Sequence, residues 1–174
     1  MAKKQKQSKL RERALRKPAG IARRLGEGET VTVRFLFEMD DEDNGWRWLA
    51  SHFDEQKGRT IFYEDDDDIP EGTANVREAY FAVAFDCDDK QRDMPIDVWE
   101  LRKSLVSKLI TEYEEEYETI TDRNYKLRRR GTGLDTEYSA TPMDAAPMSK
   151  KMKRAQKEAD GLLLDKLDQL LAEQ

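Results

Sequence analysis

The 174-residue chain has a single cysteine and a single histidine. Cys87 alone cannot close an internal disulfide, and with His52 it supplies too few soft ligands for a structural zinc site. No apolar run approaches the roughly 20 residues that a membrane-spanning helix needs. No secretory apolar stretch follows the basic start, and that start lacks the regular apolar face of a transit presequence. A cytoplasmic protein with no membrane contact is expected. Apolar residues make up 37% of the chain and charged residues 39%. A core therefore forms, but part of the length is extended, solvated or dependent on a partner.

The usual catalytic constellations are scarce as well. His52 has no nucleophile beside it in sequence, and Cys87 closes an apolar strand, where an inert thiol is the common outcome. The carboxylates of Asp65–Asp68 are adjacent, so they point in different directions, and they lack the spaced ligands and internal glycine of a calcium loop. Gly131-Thr132-Gly133 is too short for a dinucleotide fingerprint, and no Gly-Lys-Ser/Thr follows it to make a P-loop. No enzyme, cofactor or metal is expected.

What is present is segregated charge. The net charge is −6, yet residues 1–25 carry ten basic side chains against one acid, Glu12. Acids crowd Glu38–Asp43 and Glu64–Glu71, and basic character returns at Lys126–Arg130. Such a distribution suits a chain that meets a polyanion on one side only.

The patterning divides the chain into a basic arm (1–29), a core (30–142) and a C-terminal linker with an amphipathic helix (143–174). Thr30–Phe37, Trp46–Phe53 and Val76–Asp86 read as strands, although the alanines of the third are compatible with a helix. Arg59–Tyr63 is a short extended piece, and Asp40–Gly45 is a turn with an Asn-Gly signal. Asp97 with Glu100 forms a capping-box pattern, followed by Val98, Leu101, Leu105, Leu109, Tyr113 and Tyr117 at helical spacing. Tyr125–Arg130 and Thr136–Thr141 flank a Gly-containing turn as a hairpin. Pro142 and Pro147 mark a linker, and Ser149 caps a last helix to about Ala172.

This order is that of the OB-fold, a mainly β, five-stranded Greek-key barrel with a helix between strands 3 and 4. A generic α+β domain with other pairings fits the same elements. Single-strand binders combine cations along a groove with rings on which bases stack. Lys126, Arg128 and Arg130 alternate with Tyr125 and Leu127, so one face of that strand is apolar and the other carries cations about 6.5 Å apart. Trp46 and Trp48 share a face, as core residues or as a stacking platform, and Arg47 points the other way. Arg34, Tyr80 and Tyr138 complete the candidates.

Ile120–Pro142 (ITDRNYKLRRRGTGLDTEYSATP) resembles the C-terminal hairpin of the OB-fold in single-stranded-DNA-binding proteins of tailed phages. The residues that carry the resemblance are Tyr125, Lys126, Arg128, Arg130, Gly131, Gly133, Thr136, Tyr138, Ser139 and Pro142. Val33-Arg34-Phe35-Leu36 is similar to that family's first strand, with Phe37 where proline is usual. Trp46–His52 is similar to its second strand. The resemblance implies a non-catalytic, cooperative coat on single-stranded DNA, with little sequence preference, in bacteriophage DNA replication and recombination. It implies self-association through the basic N-terminal arm and contact with replication proteins through the C-terminal region, here a leucine-striped helix. The alternative is a protein–protein adaptor, or a virion or replisome subunit, whose barrel binds no nucleic acid.

Overall fold

The computed structural model of the protein describes residues 21–174; the greater part of the expected basic arm, residues 1–20, lies outside them. Seven strands, not the expected five, form one antiparallel sheet, and its end strands β3, β5 and β7 do not pair with one another to close a barrel. They are β1 (Thr30–Phe35), β2 (Trp46–Asp54), β3 (Arg59–Tyr63), β4 (Arg77–Asp86), β5 (Ile96–Leu101), β6 (Arg123–Arg130) and β7 (Glu137–Ala145). The order is β3-β2-β4-β1-β6-β7, with β5 also paired to β4. Helices α1 (Lys103–Lys108) and α2 (Glu115–Tyr117) flank π-helical turns at Leu109–Glu114, and α3 (Lys150–Glu158) and α4 (Leu162–Ala172) end the chain.

A further expectation is corrected by β5. The capping box at Asp97 and Glu100 does not form, because Ile96–Leu101 is a strand against Tyr80–Phe85 of β4. Val98 points to one apolar layer and Trp99 and Leu101 to the other, so both faces of this strand are covered. The Asp97 carboxylate instead accepts from Arg23 and Arg92. These partners lie far away in sequence or in a loop, where spacing rules do not reach. The helix starts only after Arg102, with no side-chain cap.

β1 and β2 do not pair with each other. Phe35 lies opposite Ala84 and Trp46 opposite Ala82. Between them, the Val83 carbonyl accepts from the Leu36 N–H and the Val83 N–H donates to the Gly45 carbonyl. The two strands are halves of one line along β4, interrupted by the excursion Leu36–Gly45. The Asn-Gly turn closes that excursion: the Asp41 carbonyl accepts from the N–H groups of Gly45 and Trp46. A Cβ on Gly45 would sit 2.6 Å from the Phe37 Cβ, so only glycine fits.

Each face of the sheet buries its own layer. One contains Val31, Val33, Phe35, Trp46, Trp99, Tyr125 and Leu127, closed by Leu105 and Leu109 of the helical segment. The other contains Leu36, Leu49, Phe62, Phe81, Val83 and Phe85, closed by Ala155, Ala159, Leu163 and Leu167 from α3 and α4. Fully burying each such side chain contributes about 1.5–3 kcal/mol. Ser149 caps α3 as expected, its hydroxyl accepting from the Met152 N–H. The single terminal helix breaks at Gly161, which is left-handed (φ 73°). Where a linker was expected to begin, β7 continues to Ala145.

The segment before β1 is also part of this packing. Arg23 bridges Trp99 in parallel on β5, donating to the Val98 carbonyl and accepting from the Glu100 N–H. Its guanidinium lies 4.2 Å from the Trp99 ring centroid and bonds Asp86, Asp97 and Glu29. Leu25 is buried in the first layer. Among the described residues, no helix is long and apolar enough to cross a membrane.

Candidate nucleic-acid interface

The alternation on β6 is observed. Tyr125 and Leu127 are buried, and Lys126, Arg128 and Arg130 are exposed. Register places Thr30 and Ser139 beside Arg128, and Thr32 and Thr141 beside Lys126. The three cations thus stand among hydroxyls, and among the described residues none of them forms an ion pair. Two acids flank the row: Glu137 opposite Arg130, and Asp88, whose carboxylate accepts from the Thr32 N–H. Successive cations lie about 6.6 Å apart along the strand.

At the far end of β6 the charge thickens into a corner. Arg129 points to the opposite face, donates to the Leu25 carbonyl and lies 5.9 Å from the Tyr138 ring centroid. Arg129, Tyr138, Arg24 and Arg102 line one small cavity of about 30 Å³. Lys108 Nζ donates to the Tyr138 carbonyl at 3.0 Å. Of these cations only Arg24 has an acidic partner among the described residues, Glu100 at 2.6 Å. Arg24, Arg102, Lys108 and Arg129 therefore gather around Tyr138, while Arg128 and Arg130 lie on the opposite face of the sheet. Sequence reasoning missed Arg24, Arg102, Lys108 and Arg129. The signal for Arg102 and Lys108 was obscured by starting the helix at Asp97.

On the other flank of α1 a cleft of about 480 Å³ opens between Trp48, Tyr80, Val106 and Ile110. Trp48 and Tyr80 are direct cross-strand neighbours. Trp48 is 48% exposed. The Tyr80 hydroxyl donates to Glu78, whose carboxylate also pairs with Lys103 at 3.0 Å. Burial first, and then Glu78, push Tyr80 up to about 12, so it stays a neutral phenol. The charged residues that line the cleft are Asp40, Glu42, Glu64, Glu114 and Arg47, and Lys103 pairs with Glu78 beside its tyrosine. Burial raises the Glu114 carboxyl, and Glu38 and Asp40 add to the rise.

Two expected contacts are withdrawn by burial. Arg34 is only 2% exposed. Its guanidinium donates to the carbonyls of Thr121 and Ala146 and to the Asn124 side chain, so it fastens the linker and is not free for phosphate. Trp46 is 6% exposed and packs on Phe35 at 4.9 Å between ring centroids; its indole N–H donates to the Phe37 carbonyl. Arg47 stays partly exposed, 3.8 Å from Glu64. The expected residues therefore separate. Trp48 and Tyr80 meet in the cleft, Tyr138 joins the basic corner, and Lys126, Arg128 and Arg130 line the other face of the sheet. Burial pushes the Cys87 thiol up to about 11, which disfavours its thiolate form. No group of three or more potential metal ligands occurs among the described residues.

No protein-family model matches the chain, and no curated protein matches it.

Proposed function

We propose that this protein binds single-stranded DNA without catalysis and with little sequence preference, on an OB-type barrel. The topology supports the fold reading. When β1 and β2 are counted as one interrupted strand and β3 is set aside as an extra strand on the edge of β2, the path runs β1/β2, β4, β5, helix, β6, β7, which is five strands with the helix after the third. The first strand pairs with the second (β4) and with the fourth (β6), which gives the Greek-key order 4-1-2-3.

The observation that carries the function is the basic corner around Tyr138. In a chain of net charge −6, Arg24, Arg102, Lys108 and Arg129 gather at one ring, and Lys126, Arg128 and Arg130 line the other face of β6 among hydroxyls. Phosphates are held by such Lys, Arg, Ser and Thr side chains, and a base on an aromatic ring contributes about 1–3 kcal/mol. Trp48 with Tyr80 forms a second platform, next to Lys103. Roles in phage replication and recombination, self-association through the N-terminal arm, and location in the host cytoplasm follow from the resemblance and belong to this proposal. Contact of α4 with replication proteins would use its polar face, since Leu163 and Leu167 are engaged by the sheet. The adaptor reading draws on the acidic rim of the Trp48 cleft.

The test is a titration of fluorescein-labelled oligo(dT) at two salt concentrations. Binding at low salt that weakens with salt, with quenching of tryptophan emission, is expected. Trp46 and Trp99 are buried, so quenching reports on Trp48. Absence of binding at low salt would exclude the DNA reading and favour the adaptor.

A further inference from the structure

The β6 cations do not end at Lys126. Two residues before it, the Asn124 side chain accepts from Arg34, and Arg34 forms part of an open groove of about 720 Å³. The opposite wall of that groove is α3, which presents Lys153 and Lys157. The helix is locked in this orientation. Ala155 and Ala159 are buried against the sheet, and Gln156 Nε2 donates to the Leu36 carbonyl at 2.6 Å.

The nine residues of α3 carry five cations and one acid, Glu158. Arg154 is occupied by Asp93 and Glu158. Lys150, Lys151, Lys153 and Lys157 are exposed and have no ion pair among the described residues. The carboxylate within the groove, Asp122, is held by Arg123 at 2.8 Å, which largely cancels its charge. Asp144 at the end of β7 and Asp160, three residues after Lys157, are the other acids near in sequence, and both are exposed. Lys153 and Lys157 stand one helical turn apart, about 6 Å. That is close to the spacing of Lys126, Arg128 and Arg130 on the strand.

We propose that α3 is the second half of the polyanion path: a single strand lying along β6 continues across the Arg34 groove, with its phosphates on Lys153 and Lys157. The C-terminal segment then acts as a DNA-binding element. This inference rests on the single-strand-binding reading above.

The experiment uses the full-length chain and oligo(dT) of two lengths, one long and one too short to span both elements. Each single-strand phosphate neutralised contributes about 0.7 to the slope of log affinity against log salt. The double variant Lys153→Gln/Lys157→Gln is expected to lower that slope by about 1.4 and to weaken the long oligonucleotide about tenfold or more at low salt. Binding of the short one should hardly change, and the thermal midpoint should stay near wild type. Lys153→Arg/Lys157→Arg should keep the wild-type slope, which a purely structural role of the lysines would not predict. An unchanged slope in the glutamine variant, alongside a reduced slope in Lys126→Gln/Arg128→Gln, would overturn the helix path and leave the single-strand reading intact. A wild-type protein that fails to bind either oligonucleotide at low salt would overturn both.

Discussion

Arg34 and Arg128 show how similar arginines are given different work by their neighbours. Both lie on strands of one sheet and on the same face. Arg34 lies under the linker and bonds two carbonyls and an amide, whereas Arg128 stands in solvent among hydroxyls. Arg34→Lys removes the fork and leaves buried carbonyls without donors, at a cost of about 2 kcal/mol or more. We predict a lowered thermal midpoint with unchanged oligonucleotide affinity for the folded protein; Arg128→Gln should do the reverse. A loss of affinity in Arg34→Lys at temperatures where it is fully folded would contradict this division. Glu38 offers a pH-dependent counterpart. Burial pushes its carboxyl up, but the hydroxyls of Thr119 and Thr121 and the Ile120 N–H outweigh that and hold it below its ordinary value. A lowered folded-state pKa gives stability that is present above the ordinary range near 4.3 and lost as pH falls through the lower value. Glu38→Gln should therefore destabilise most at neutral pH. Its gap from wild type should close towards pH 3 in a series of thermal melts, and a gap independent of pH would refute the assignment.

Among the elements, the C-terminal helices are structural before they are anything else. Leu163 is fully buried against the layer of Phe81, Val83 and Phe85. Leu163→Ala is expected to cost about 2–5 kcal/mol, measured by denaturant midpoint; a cost below about 1 kcal/mol would mean that α4 is only loosely attached. The leucine stripe that predicts this helix is legible in the sequence, but its partner is not, because an amphipathic face reads the same whether it meets a sheet or another protein. The β6 alternation was equally legible, since period two sorts Tyr125 and Leu127 from the cations without any tertiary knowledge. β5 was not. Val98, Leu101, Leu105 and Leu109 fit a helical stripe, and the pairing of Val98 with Val83 overrode it. The basic corner was legible only in part, because Arg24, Arg102 and Lys108 become neighbours of Arg129 through the fold alone.

For the molecule as a whole, charge is arranged as a polarity. Acids occupy the Leu36–Gly45 excursion, the loop after β3 and the stretch Glu112–Glu118, while cations hold the Tyr138 corner, β6 and α3. A polyanion approaching such a molecule is guided to the basic surfaces, and the acids discourage adhesion elsewhere. The interrupted strand has a further consequence, for the order of folding. β2, β3 and β4 are neighbours in both sequence and sheet, so their pairings close short loops. β1 then joins the same edge of β4 by closing only the excursion, a small entropic cost. Its other partner, β6, is nearly a hundred residues away. Contacts of that range are slow to form. Leu49→Ala should therefore slow refolding, whereas Val31→Ala should chiefly speed unfolding; the opposite pattern in stopped-flow kinetics would place the nucleus on β1 and β6. An excursion that looks like an interruption is, in time, the hinge by which the second half of the sheet is recruited to the first.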